Sequence, residues 1–251
     1  MRLLLAVPAA LLLAACTGSG GSSPSSSAPA PGGMPTAAPA LGALVKHAVA
    51  DLRSAHLSVG LNLSAETLSG TGDEQLSDGR LAALDLTTNL AGAGAIRVVH
   101  VEGQTYAKLP TSMNPSGKPY LLVSSDSSNP TVHQLAPYLD AALTAVSPAS
   151  LGVLAGAAQS VDVKGTQTVN GTPTTHYALV VDVTKVPPAL LGTAATGHTL
   201  PLDLYVARDG RPAQADLHLN VQGQDVPIDV KFSDFNKQVS ITPPPAGQVS
   251  R

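Results

Sequence analysis

The sequence predicts an α+β fold in which a long, curled antiparallel sheet is backed by a few helices. Three observations predict it. Segments of the C-terminal half alternate apolar and polar residues strictly, short turns of hairpin length join them, and few stretches carry the helical spacing needed to cover the shared apolar face. A sheet of about nine or ten such strands twists and curls rather than lying flat.

The chain begins with Arg2 and an apolar run, Leu3 to Leu13, too short for a permanent bilayer helix and suited to a secretory signal. The run ends in Leu13-Ala14-Ala15-Cys16, and Cys16 is the one cysteine of the chain. This ending resembles a bacterial lipobox. The resemblance implies cleavage of residues 1–15 as a lipoprotein signal peptide and a diacylglyceryl group on Cys16. Two or more acyl chains, palmitate among them, anchor stably where one does not, at ~0.8 kcal/mol per buried CH₂. The expected location is the outer face of the bacterial cell membrane, lipid-anchored. Residues 16–40 then hold the lipidated cysteine and a spacer rich in Ser, Gly, Pro and Ala, read as disordered. Such a spacer spans roughly 25–30 Å on average. Residues 41–251 remain for a single domain.

That domain opens on an amphipathic helix: Leu41, Leu44, Val45, Ala48, Val49 and Leu52 recur at three- and four-residue spacing within residues 41–56. The period then switches to two at Leu57, Val59, Leu61 and Leu63, a half-buried strand. Ser69-Gly70-Thr71-Gly72-Asp73 reads as a turn, and extended segments follow near 84–90, 96–101 and 105–109. Helical spacing returns at Val132, Leu135, Leu139, Leu143 and Val146, with Pro148 as its stop. Residues 151–158 suggest a short helix or an irregular apolar segment. Clean alternation fills the rest: Tyr177, Leu179, Val181, Val183; Leu200, Leu202, Leu204, Val206; Leu217, Leu219, Val221; and Val226, Ile228, Val230, Phe232. Asn170-Gly171 and Asp209-Gly210 mark hairpin turns.

Composition excludes several functions. Charged residues are 12% and aromatics 3%, so the clustered cations and stacking platforms of a nucleic-acid binder are missing. One cysteine and seven histidines without an HExxH or HxxxH pair give no metal site and no disulfide framework. No GxSxG elbow, phosphate-binding loop or dinucleotide fingerprint occurs, so no enzyme and no cofactor are expected. Arg208 with Arg211 and Lys231 with Lys237 read as solvated charge at strand ends.

The interior is less determined. A fully packed core takes precedence on composition alone, because small residues pack densely, while a curled sheet over few helices also leaves room for an apolar space. Here a resemblance enters. Val169-Asn170-Gly171-Thr172-Pro173-Thr174-Thr175-His176-Tyr177, Val181-Asp182, Leu202-Asp203-Leu204-Tyr205-Val206, Asp209-Gly210-Arg211-Pro212, Phe232-Ser233-Asp234-Phe235-Asn236 and Val239-Ser240-Ile241-Thr242-Pro243 occur in this order. Together they resemble the LppX/LprG family of actinobacterial lipoproteins, whose fold is similar to the LolA and LolB carriers. The resemblance implies a half-barrel, a strongly curved antiparallel sheet wrapped around helices with an apolar cavity for an acylated lipid or glycolipid. Candidate lining residues are Leu61, Leu63, Leu135, Leu139, Leu143, Leu179, Val181, Leu202, Leu204, Leu219, Ile228 and Val230. The expected function is lipid binding or transport in the cell envelope. The alternative is a regulatory or scaffolding lipoprotein that binds an envelope transporter or sensor protein without a lipid ligand.

Overall fold

A computed structural model describes residues 33–63, 66–90, 94–114, 116–124, 147–191, 198–221 and 224–250. Alternation produces strands where it was expected, and more of them. The first meander comprises β1 (Ser54–Leu63), β2 (Glu66–Ser77), β3 (Arg80–Leu90), β4 (Gly94–Val101), β5 (Gln104–Lys108) and β6 (Tyr120–Val123). The second comprises β7 (Ala158–Val169), β8 (Thr172–Asp182), β9 (Thr199–Ala207), β10 (Pro212–Val221) and β11 (Gln224–Ser233), with β12 (Val249–Ser250) at the end of the chain. They form one twelve-stranded sheet in the order β12-β6-β5-β4-β3-β2-β1-β11-β10-β9-β8-β7. Every pairing is antiparallel except the short β12–β6 contact. The two meanders join where β1 pairs with β11, setting Leu57 opposite Phe232 and Val59 opposite Val230. The sheet is curved and unclosed, with β7 and β12 as its free edges.

Curvature has local causes. Register shifts between Gln75 and Leu76, Ala158 and Ser160, Val163 and Gly165, and Pro212 and Gln214 each bend a strand. The stretch Ser69–Asp73, expected as a turn, lies inside β2 instead. Its glycines mark close approach rather than reversal: a Cβ on Gly72 would stand 2.2 Å from the Asp85 carbonyl oxygen.

Two helices lie on the concave face. The first, α1 (Ala38–Ala50), starts three residues earlier and stops sooner than its apolar period suggested, and buries Leu41, Val45 and Val49. Residues 51–56 leave the helix, so His56 belongs to β1. The second, α2 (Pro148–Gly156), settles the segment 151–158 as mostly helix. Pro148, expected to end a helix, begins this one, since proline at the first helical position loses no intrahelical bond. Ser147 is its N-cap, its Oγ accepting from the Ala149 N–H at 3.3 Å. A single turn of helix, α3 (Pro188–Leu191), precedes β9.

The helices cross closely. A Cβ on Gly42 of α1 would lie 2.6 Å from the Gly156 Cα of α2, so glycine sets their separation. Leu41, Val45, Val49, Leu151 and Leu154 form one buried cluster with Leu57, Leu84, Tyr177, Leu202, Leu204 and Val230. The β9–β10 turn folds over the flank of α1, with Gly210 at φ +88° where a Cβ would meet Leu44 Cγ at 2.9 Å.

The chain after β11 crosses the convex face as a strap. Ser54 Oγ donates to the Lys237 carbonyl, and Gln75 Nε2 donates to the Val239 carbonyl at 2.7 Å. Ile241 then closes a second, smaller core with Ala83, Val99, Val101, Tyr106 and Tyr120 before β12 joins β6.

Candidate functional site

Alternation sorts the sheet into two faces of opposite character. On the concave face, Leu179 and Val181 of β8, Leu202 and Leu204 of β9, and Ile228 and Val230 of β11 are all buried in the one cluster that includes both helices. These six expected lining residues therefore come together. For Leu61 and Leu63 at the end of β1, and Leu219 in β10, only the backbone is described; register sets residue 61 opposite Ile228 and residue 219 opposite Val226. Cys16 and residues Leu135, Leu139 and Leu143 lie outside the described residues, as does the helix expected around them.

The concave face is far larger than the helices on it. Strands spaced by ~4.8 Å and rising ~3.3 Å per residue give twelve of them an inner surface on the order of 1,700 Å². Helices of 13 and 9 residues, at ~1.5 Å per residue and ~10 Å across, cover roughly 330 Å². Among the described residues, helical cover is thus about a fifth of the concave face.

Among the described residues two buried side chains leave a polar atom unpartnered in this interior; Glu74 was not singled out from sequence, and Tyr177 was read only as one position of an alternating strand. Glu74 is fully buried on β2, opposite Ala55 and Leu84, because it shares strand parity with Gly72 and Leu76. Ser147 Oγ donates to its Oε2 at 3.0 Å, while Oε1 has no partner. Burial pushes the carboxyl up to about 8, against the smaller opposing effect of the Ser147 bond. Glu74 is therefore a neutral acid at pH 7, tying β2 to the start of α2. The second group is Tyr177 on β8, wholly buried, its hydroxyl unpartnered and pushed up to about 12 by burial. Only the parity of Leu76 two residues on could have signalled Glu74, since Asp73 and Gln75 flank it as ordinary polar strand residues.

The convex face carries charge. Asp203, Asp216 and Asp229 stand directly opposite one another on β9, β10 and β11. Burial raises the Asp216 carboxyl, Gln214 opposes through two hydrogen bonds, and the neighbouring carboxylates raise it further. His176 Nε2 lies 2.6 Å from Asp203 Oδ1 and stacks on Tyr205 with ring centres 4.4 Å apart. Elsewhere Arg97 forks onto Asp85, and Arg211 pairs with Asp209 while its guanidinium covers the Phe235 ring at 5.2 Å. Among the described residues no group of three His, Cys, Asp or Glu side chains could hold a metal, and no helix is long and apolar enough to cross a membrane.

An unclosed antiparallel sheet curved around a helix pair, apolar on its concave face, defines a half-barrel fold. Residues 138–241 match the model of the LppX_LprAFG lipoprotein family, the family to which the sequence was compared above. The crystal structure of the Mycobacterium tuberculosis lipoprotein LppX superposes with a TM-score of 0.52 at 16% identity, covering 81% of this chain and 99% of that one. The crystal structure of LprF from Mycobacterium bovis gives 0.50 at 16% identity, over 84% of this chain and 99% of its own. No curated protein sequence matches significantly. The family and the half-barrel expected from sequence are borne out.

Proposed function

We propose that the protein is a membrane-tethered envelope lipoprotein that holds an acylated lipid or glycolipid against its concave apolar face and performs no bond chemistry. The observation that carries this reading is the mismatch between the size of the concave face, whose inward residues on β8, β9 and β11 are apolar, and helical cover of about a fifth of its area. The match of residues 138–241 to a lipoprotein family supports the tether at Cys16. Moving a ~16-carbon chain through water costs ~13 kcal/mol at ~0.8 kcal/mol per CH₂. An apolar enclosure removes that cost, and the spacer lets the body leave the headgroups without leaving the membrane. Leu179, Val181, Leu202, Leu204, Ile228 and Val230, already buried against the helices and one another, back the apolar interior, and Leu61, Leu63, Leu135, Leu139, Leu143 and Leu219 are its proposed extension toward the acyl chain. Neutral Glu74 and the Tyr177 hydroxyl add polar atoms without adding charge.

The test is extraction of the chain purified from a lipid-rich host, with mass spectrometry of the organic phase and displacement of a fluorescent fatty-acid probe. Stoichiometric acyl lipid and competitive displacement are expected. Protein that is folded, lipid-free and unable to take up the probe overturns the reading.

A further inference from the structure

The helix pair has a second surface, turned away from the sheet. Where α1 and α2 cross, a cleft of about 390 Å³ is lined by Pro39, Gly42, Ala43, Lys46, Val153, Gly156, Ala157 and Lys185. Its floor and walls hold no side chain larger than valine apart from the two lysines. Glycine at 42 and 156 brings the helices close enough that the cleft remains shallow and open along the crossing. Such a volume falls in the range that admits a small polar ligand.

Charge and position point to one occupant. Lys46 is exposed and forms no ion pair with a described residue. Lys185 reaches Asp182 at 3.2 Å and keeps most of its side chain in water. The N-terminus of α1 also borders the cleft at Pro39, and its N-cap, Ala37, offers no side-chain acceptor, so the positive end of that helix dipole is unquenched there. The carbonyl end of α2 at Gly156 works the other way, which leaves the two lysines to decide the sign. Pro39 also lies just after residues 33–37, so the cleft is on the side of the body from which the proposed tether leads. The convex face, with Asp203, Asp216 and Asp229 in a row, is repelled by an anionic bilayer surface.

We propose that the cleft between α1 and α2 docks the phosphate headgroups of the anionic membrane to which the chain is tethered, through Lys46 and Lys185. Docking holds the helix side of the half-barrel to the bilayer and the carboxylate row away from it. The proposal rests on the tethered-lipoprotein reading for its partner, but its chemistry is separate from hydrocarbon binding.

The experiment uses the chain from Thr17 onward, which retains every described element and lacks the acyl anchor. Flotation is measured with phosphatidylcholine vesicles and with vesicles containing phosphatidylglycerol, at low and raised salt. Binding to the anionic vesicles alone, weakened by salt, is expected. Each lysine is worth about fivefold near an anionic surface, so the Lys46→Gln/Lys185→Gln pair lowers binding about 25-fold. Lys164→Gln, on exposed β7 and paired with Asp162, leaves it unchanged. Equal binding to both vesicle types, or a double variant that floats like the parent with its melting curve intact, overturns the proposal. Probe uptake run in parallel separates the two readings: a variant that loses flotation but keeps the probe supports docking as distinct from lipid holding. Parent protein that floats yet never takes up the probe sustains docking and sinks the carrier.

Discussion

Replacing Glu74 by glutamine keeps the shape of the side chain and an acceptor for Ser147, and removes its ability to ionise in the core. The wild-type carboxyl moves from 4.5 in the unfolded chain to about 8 in the folded one, because burial disfavours its charge. The folded protein therefore binds this proton more tightly than the unfolded chain. The associated stability is complete below pH 4.5 and declines as pH rises toward about 8. At ~1.36 kcal/mol per unit, the full swing is about 5 kcal/mol, comparable to the whole stability of many domains. In the Gln variant this swing is gone, while a second amide hydrogen without a partner costs about 1–3 kcal/mol at every pH. The two stability curves should cross. At pH 5 the wild type is the more stable protein, and by pH 8.5 Glu74→Gln is, with a difference in melting temperature on the order of 5–15 °C at ~2–4 °C per kcal/mol. Urea denaturation of both proteins from pH 4.5 to 9 measures it, and taking their difference cancels the groups that the two proteins share. Parallel curves across that range would show that the carboxyl is not held neutral, and the account of the β2–α2 tie would fall with it.

Gly42→Ala places a methyl 2.6 Å from the Gly156 Cα and should cost about 1–3 kcal/mol by thermal denaturation. Gly156→Ala meets its nearest atom at 3.7 Å, and should be neutral or stabilising by ~0.4–1 kcal/mol. Asp216→Asn removes one of three facing carboxylates while keeping an acceptor for Gln214. It should stabilise by ~0.2–1 kcal/mol at pH 7 and by progressively less as pH falls, since the raised Asp216 carboxyl contributes its stability at low pH and loses it as pH rises. Ile241→Ala empties the centre of the strap's contact and should cost about 2 kcal/mol, with faster amide exchange confined to β4, β5 and β6.

The half of the fold with strict alternation was legible because its strands have one wet face. Leu179, Val181, Leu202, Leu204, Ile228 and Val230 follow period two and all turn inward. The short β6 and the β7 edge left little trace: β7 is exposed along most of its length, so no apolar period marks it. β2 was hidden by glycine, which signals a turn in sequence and here signals two strands drawn together. Pro148 carried the same ambiguity, as proline both ends helices and begins them, and only the Ser147 cap one residue earlier distinguishes the cases. The polar interior of the site was illegible for a different reason. Glu74 turns inward through pairing with residues 19 and 10 positions away, Ala55 and Leu84 being its cross-strand neighbours, and its neutrality is a property of the assembled core.

The close helix crossing links stability to capacity. Had α1 and α2 carried leucines at positions 42, 152 and 156, their axes would stand farther apart, and the pair would spread over more of the concave face. Glycine draws the helices together instead: Gly152 has Lys46 Cγ 2.6 Å from where a Cβ would sit, and Gly42 has backbone at the same distance. The helices thus bury Leu41, Val45, Leu151 and Leu154 fully while occupying little of the sheet. Their compactness confines direct helical cover to about a fifth of the concave face, and the glycine-set crossing is the feature of the sequence that keeps it so. Under the lipid-holding proposal the rest of that face is what an acyl chain covers, at ~25 cal/mol per Å² of apolar surface taken from water.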